Sequence, residues 1–327
     1  MFILDRLKPK ELEEYLKSFA VIAPDEKIQD LTIPGAGNMN RVLRARTENS
    51  SLIIKQAHNY VEKYPQIYAP PTRIHTEGAF YELIVTNADT SHMMPEVIKQ
   101  DPENYILILE DMGDSEDFSF LYHKHQFIRH DELQSLCNYL SALHTSFKSH
   151  QPNPIFLNDE MRKLNHQHIF VYPFLEENGL DLDHIQNGLR ELAQPYKSDE
   201  GFRNIIKDIG EQYLTNGPHL LHGDFYPGSW LKTQGGIRVI DPEFCHYGFA
   251  EFDLAVLIAH LHLANQSESL IEQVLYWYNS AIDFQFLQQL TGVEIMRRLI
   301  GLAQLPLERS LEEKRQLLSK AYQMIIS

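Results

Sequence analysis

The 327-residue chain has only two cysteines, Cys137 and Cys245. A disulfide framework is therefore not expected. The 16 histidines form no zinc-type cluster with those cysteines. Basic residues are also few, 29 Lys and Arg against 45 Asp and Glu, for a formal net charge of −16. That balance argues against broad binding to nucleic acid or to an anionic membrane, while leaving room for a small basic pocket around an anionic ligand. The chain has no run of about 18 apolar residues, so no membrane span is expected. The first residues, MFILDRLKPKELEEYL, carry acids where a signal peptide needs an unbroken apolar stretch. Internal repeats and low-complexity linkers are absent as well. The expectation is a soluble cytoplasmic protein.

The hydrophobic fraction of 43% is ordinary for a globular chain, and the length suits one two-lobed catalytic unit or two domains. Leu12, Tyr15, Leu16 and Phe19 share one face of a predicted helix over 8–19, and Pro9 sits early, where a helix tolerates it. The stretches IPGAGNMNRVLRAR and SLIIKQA read as strands around a polar turn, Thr47 to Ser50. A helix centred on 77–83 and strands at 95–99 and 105–109 complete a small β-rich N-terminal lobe with one main helix, residues 1–110. From Asp131 the apolar spacing is helical: Leu133, Leu136, Cys137, Leu140 and Leu143 follow the repeat. Further helices are expected at 182–194, 201–214, 252–263, 270–278 and 310–326. The C-terminal lobe, 111–327, is thus larger and mostly helical. The break falls near Glu110–Ser119, where acids, Gly113 and serines follow an apolar strand. The expected class is α+β and bilobal.

One stretch interrupts the helices: LLHGDFYPGSWLKTQGGIRVIDPEF. It reads as two short strands joined at Gln234-Gly235-Gly236. Asp224 stands alone behind His222-Gly223, while Asp241 and Glu243 flank Pro242. Phosphoryl transfer uses carboxylates in this distribution. One orients and deprotonates a hydroxyl; others hold Mg²⁺ against phosphates. Asp224 is the candidate base, His222 a brace for its loop, and Asp241 and Glu243 the candidate metal ligands.

A nucleotide site is expected upstream. Gly35 and Gly37 let a hairpin backbone approach phosphates. Lys55 ends an apolar strand and suits the α- and β-phosphates, with Glu77 on the next helix as its partner and Glu82 as the fallback. The Glu110 carbonyl and Met112 amide suit adenine. Singly, each has an ordinary alternative: a plain turn, an exposed lysine on an edge strand, a solvated glutamate, a strand end. Their order is that of a kinase, which predicts a protein-kinase-like fold using ATP and Mg²⁺.

The His222–Glu243 stretch resembles the catalytic loop and metal site of the aminoglycoside phosphotransferase/choline kinase-like small-molecule kinases. Within them the chain is most similar to the methylthioribose kinase-like branch. The resemblance lies in Gly37-Asn38-Met39-Asn40, Lys55-Gln56-Ala57, Gly228-Ser229 where most relatives of the wider family have Gly-Asn, Asp241-Pro242-Glu243-Phe244, and the pair Arg297-Arg298 within MRRLIGLA. It implies nucleotide-loop roles for Asn38 and Asn40, a substrate-pocket and charge-stabilising role for Arg297 and Arg298, a loop-bracing role for Asp253, and a homodimer. It also implies γ-phosphate transfer to a hydroxyl of a pentose such as 5-methylthioribose, at the anomeric position. Ser229 would be a weaker metal ligand than asparagine, a duty Glu243 can take over.

Two points qualify the resemblance. Adjacent helical arginines point about 100° apart, so sharing one site needs help from local geometry. The stretch between Trp277 and Arg297 is also short for the branch and lacks its Trp-containing loop; Trp230 and Trp277 read as core residues. Another small hydroxyl acceptor, such as an amino alcohol or an aminoglycoside, is therefore the alternative. A non-catalytic pseudokinase is disfavoured by the presence of Lys55, Asp224, Asp241 and Glu243. Protein-kinase activity is disfavoured by Tyr226, which stands where such kinases carry lysine.

Overall fold

The protein was analysed as a computed structural model that describes residues 2–35, 37 and 39–327. Its contacts divide the chain into two units. One runs to Glu116 and takes back Thr233–Glu243; the other holds Asp117–Lys232 and Phe244–Ser327. The returning segment carries Asp241 and Glu243 into the first unit, a discontinuity that no composition shift in the sequence announces.

In the first unit, α1 (Pro9–Ser18) starts on a proline and buries Leu12 and Leu16, one turn apart. β1 (Asp30–Thr32), β2 (Arg41–Arg46) and β3 (Ser51–Gln56) follow. The short hairpin β4 (Tyr60–Val61) and β5 (Tyr64–Tyr68) leads to α2 (Arg73–Ile84) and the single turn α3 (Ala88–Ser91). β6 (Val97–Asp101), β7 (Ile106–Glu110) and the two-residue β8 (Glu116–Asp117) end the run. The sheet order is β1-β2-β3-β7-β6, antiparallel throughout. β3 is therefore central, and this removes the alternative of an exposed lysine on an edge strand: Lys55 is 5% exposed. Leu12 and Leu16 pack with Leu43, Leu52, Ile54 and Ile108 in one apolar cluster on the sheet.

The second unit is built on α4 (His130–Ser146), α5 (Asp159–His166), α6 (Leu182–Ile185), α7 (Leu189–Ser198) and α8 (Glu200–Tyr213). The short strands β9 (His219–Leu221), β10 (Trp230–Thr233) and β12 (His246–Gly248) precede α9 (Glu251–Leu263), α10 (Glu268–Tyr278), α11 (Phe284–Ile300) and α12 (Leu311–Ile326); β11 (Gly236–Val239) lies in the segment that returns to the first unit. β9 pairs antiparallel with β12. Every residue of α9 is buried, its Asp253 and His260 included. α9 packs on α11, and α11 on α12. At Gly292 a side chain would sit 2.5 Å from the Ala321 carbonyl, so glycine sets that close approach.

Among the departures from the sequence-based expectation are three helical regions. The helix expected over 182–194 is two helices, because Gly188 takes φ +86° between them. α5 and the π-helical turn Gln167–Val171 that continues it were not foreseen; the buried positions of α5 include Arg162 and Asn165, which give no apolar period. α11 was not among the expected helices either, although Arg297 and Arg298 were read as helical; Asp283 accepts a hydrogen bond from the Phe286 backbone N–H at its N-terminus. Trp230 and Trp277 are both buried. Among the described residues, no helix is long and apolar enough to cross a membrane.

His246 in β12 donates from Nδ1 to the Phe244 carbonyl at 3.0 Å, while its buried Nε2 has no hydrogen-bond partner. Burial and the Arg162 charge push its pKa down to about 4. The folded protein therefore keeps it neutral where the unfolded chain, with an ordinary histidine pKa of about 6.5, has taken up a proton. Stability linked to His246 is complete above pH ~6.5 and is lost as pH falls toward about 4. At pH 5 this amounts to ~2 kcal/mol. Thermal melts at pH 7 and pH 5 should show a smaller drop for His246→Asn, which keeps a donor for Phe244, than for the unmodified protein. An equal drop would show that His246 does not carry this linkage.

Candidate active site

In the first unit the central strand β3 presents Lys55 and α2 presents Glu77. Lys55 Nζ lies 2.6 Å from Glu77 Oε1 and also contacts Asp241 Oδ1. Burial alone would lower the lysine pKa, but Asp241 and Glu77 hold it well above the ordinary value, so the ammonium persists. Asp241 sits at φ +64°, a left-handed conformation that aspartate tolerates better than most residues. Its backbone N–H donates to the hydroxyl of the buried Tyr81 at 3.1 Å. The Asp241 side chain is 41% exposed, so its carboxylate is open to a ligand.

Glu243 is buried. It accepts from Asn40 Nδ2 at 2.9 Å, and Arg73 Nε lies 3.4 Å away. Asn40 Oδ1 accepts from that same Nε at 3.0 Å. Arg73, wholly buried, also donates to the carbonyls of Met39, His58 and Pro70. It thus pins the end of the glycine turn, the β4–β5 hairpin and the start of α2 to one carboxylate. Burial, partly opposed by Arg73, pushes the Glu243 carboxyl up to about 8. A cation beside it would relieve that cost. Asp241 and Glu243 supply hard oxygen ligands, and no cluster of three or more His, Cys, Asp or Glu side chains suited to a metal occurs among the described residues. This donor set fits a magnesium-like ion, which accepts one or two carboxylates and completes its shell with water and phosphate oxygens.

The remaining first-unit candidates lie away from that cluster. Gly35 and Gly37 belong to the turn before β2, with the Gly37 N–H donating to the Gly35 carbonyl; Asn38 lies outside the described residues. Glu110 ends β7, three residues along from Leu107, the register partner of Lys55, which is about 10 Å along the strand. Met112 follows it, in a segment fixed by Arg44, whose Nη2 reaches Asp111 Oδ1 at 2.9 Å and the Gly113 carbonyl at 2.8 Å. Glu82 is exposed and accepts from Gln100, so Glu77, not Glu82, is the partner of Lys55.

In the second unit the strand β9 delivers the His222-Gly223-Asp224 loop. Gly223 has φ +84°, and a Cβ there would stand 2.1 Å from the Phe244 carbonyl oxygen, so only glycine fits. Asp253 on α9, fully buried, accepts from the backbone N–H groups of His222 at 2.7 Å and Gly223 at 2.9 Å. His144 Nε2 donates to it at 3.1 Å. Burial favours the neutral acid, but these partners hold the Asp253 carboxyl below its ordinary pKa. The His222 ring is buried behind the loop, with Nδ1 accepting from the Asp224 N–H at 3.4 Å. Ser229 Oγ donates to the Asp224 carbonyl at 3.0 Å, so the hydroxyl braces the loop.

Arg298 Nη2 lies 3.3 Å and Arg297 Nη2 3.6 Å from Asp224 Oδ1. Adjacent helical residues reach one oxygen because Glu294 sits between them. It precedes Arg297 by three residues and Arg298 by four, so the arginines flank it on one helix face. Glu294 Oε1 accepts from Arg298 Nε at 2.8 Å, and Oε2 accepts from Arg297 Nε. Arg298 also lies over the Tyr226 ring, 4.9 Å from its centroid. Burial raises the Asp224 pKa, and the two guanidinium groups only partly oppose this; a raised carboxylate is the better proton acceptor.

Residues 30–290 match the phosphotransferase enzyme family (APH). The chain belongs to this family. It is 24% identical over 266 residues to the methylthioribose kinase of Pectobacterium atrosepticum, a match covering 76% of this chain and 64% of that enzyme. The chain thus spans less than two thirds of the length of that curated relative. Among solved structures it resembles the choline kinase LicA from Streptococcus pneumoniae, with TM-score 0.56 and 16% identity, covering 97% of this chain and 98% of that one. It also resembles the gentamicin-bound phosphotransferase APH(2'')-IIa, with TM-score 0.55 and 16% identity, covering 100% of this chain and 97% of that one. The shared property is the fold, a small antiparallel sheet unit and a mostly helical unit of protein-kinase type.

Glu294, Arg73 and Tyr81 are the site residues that sequence reading missed. The Glu294 spacing to the arginine pair was legible as an i,i+3/i,i+4 pattern. Arg73 was not, because its partners are mostly backbone carbonyls, which leave no mark on composition. Asp253→Asn puts an amide where three donors converge. In an APH-family phosphotransferase this should lower turnover by at least about tenfold while nucleotide affinity, measured by calorimetry, stays within about twofold. Unchanged turnover would show that the loop does not need the carboxylate.

Proposed function

We propose that this protein is an ATP- and Mg²⁺-dependent kinase that phosphorylates a hydroxyl of a small uncharged acceptor, a pentose such as 5-methylthioribose. The observation that carries the reading is Asp224, a carboxylate of raised pKa on a braced loop with two guanidinium groups converging on Oδ1. Oδ2 is then the oxygen to orient the acceptor hydroxyl and take its proton. Arg297 and Arg298 stabilise negative charge as it develops on the transferred group. Lys55, kept charged by Glu77 and Asp241, supplies the cation for the α- and β-phosphates. Asp241 and Glu243 would hold Mg²⁺, which when bound offsets phosphate charge.

The pentose assignment is supported by the methylthioribose kinase relatives and by the arginine pair, which makes a poor surface for a strongly cationic acceptor. Nucleotide use is supported by the AMP complex of the structurally similar LicA. The acceptor is tested by ADP release with Mg²⁺-ATP over 5-methylthioribose, ribose, 5-deoxyribose, choline, homoserine and kanamycin. Turnover on 5-methylthioribose, with choline and kanamycin silent, is the expected result. Turnover on choline or kanamycin alone would overturn the pentose assignment and keep the kinase.

A further inference from the structure

The arginine pair is held from behind by a hydrogen-bonded chain that lies entirely in the second unit. His260, on α9, has Nε2 3.1 Å from Glu294 Oε1 and Nδ1 2.5 Å from the Tyr122 hydroxyl. All three side chains are buried. Partner chemistry fixes the direction of the chain. An ionised carboxylate only accepts, so Nε2 carries the hydrogen toward Glu294, and Nδ1 then accepts from the Tyr122 O–H. Burial keeps His260 neutral, with its pKa down at about 4. Burial alone would raise the Glu294 pKa, yet Arg297, Arg298 and His260 hold it well below the ordinary carboxylate range. Glu294 thus accepts from both arginines and from the imidazole. Its Oε1 is shared by Arg298 and His260, and its Oε2 is taken by Arg297.

The chain has a mechanical consequence. Long arginine side chains have many rotamers, and two guanidinium groups side by side repel each other. A single carboxylate bonded to both Nε atoms fixes each side chain near its root and leaves the outer nitrogens directed at Asp224. His260 and Tyr122 fix the carboxylate in turn. We propose that Glu294, seated on His260 and Tyr122, is the positioning residue that sets Arg297 and Arg298 against Asp224 in the transfer step. The proposal goes beyond the kinase reading and rests on it for its kinetic consequence.

The test combines kinetics with a readout independent of turnover. Glu294→Gln keeps the shape but removes the charge and one acceptor position. It should lower kcat by at least about tenfold, while the KM for ATP stays within about twofold. His260→Gln, which can still donate to Glu294, should keep more activity than His260→Leu. Without any substrate, the ¹⁵Nε–H signals of Arg297 and Arg298, assigned with Arg297→Lys and Arg298→Lys, should exchange slowly with water in the unmodified protein and at least about tenfold faster in Glu294→Gln. Unchanged kcat together with unchanged exchange would overturn the proposal. So would a Glu294→Gln loss that falls equally on ATP binding and kcat, which marks general damage. If the unmodified protein turns over no acceptor, the kinase reading falls, and the exchange measurement alone decides whether Glu294 positions the arginines.

Discussion

Asp253 accepts the backbone N–H groups of His222 and Gly223 together with His144 Nε2, and the loop that presents Asp224 takes its shape from those three bonds. A carboxylate with no exposed surface costs several kcal/mol unless its oxygens are filled by donors. Here two of the three donors belong to the loop itself. The conformation that satisfies Asp253 is therefore the one that delivers Asp224, and Gly223 is the residue whose backbone can turn that way. The geometry of the Asp224 loop and the cost of buried charge are solved by one arrangement.

The same solution occurs a second time two turns along α9. Asp253 is backed by His144 and Tyr278, and Glu294 by His260 and Tyr122. Asp253 and His260 are seven residues apart on α9, so they lie on one face. That helix, buried on every side, braces both the loop carrying Asp224 and the arginines directed at it. Breaking a buried, paired charge is strongly destabilising because it strands the partner. In the first unit the same principle links Lys55 to Glu77 and Asp241, and Arg73 to Glu243 and Asn40. Both groups of candidate site residues thus stand on buried charges that hold one another in place.

Part of this was legible in the sequence. Strand and helix patterns gave the sheet around Lys55 and most helices of the second unit, because their apolar periods are regular. The order of the glycine turn, Lys55, Glu77, Asp224, Asp241 and Glu243 points to phosphoryl transfer from residue type and spacing alone. α5 was hidden because it buries Arg162 and Asn165 through hydrogen bonds to carbonyls and a side-chain amide and hydroxyl rather than through an apolar stripe. The angular separation of Arg297 and Arg298 hides their convergence; the residue that resolves it, Glu294, stands one turn earlier. Arg73 and Glu243 are separated in sequence by the whole of 117–232, so their partnership has no local signal. Periodicity reports burial of apolar groups, whereas these site residues are buried polar groups whose partners are distant in sequence.

The central claim is that Asp224, and not the residues proposed to hold the nucleotide, decides whether phosphate moves. The direct measurement is a single-turnover experiment with Asp224→Asn, following ATP binding by calorimetry and phosphorylated acceptor by ³¹P NMR in the same sample. ATP should bind as it does to the unmodified protein, with no phosphorylated acceptor formed over many of that protein's turnovers. Phosphorylated acceptor appearing within about tenfold of the unmodified rate would contradict the account and move the chemistry to another residue.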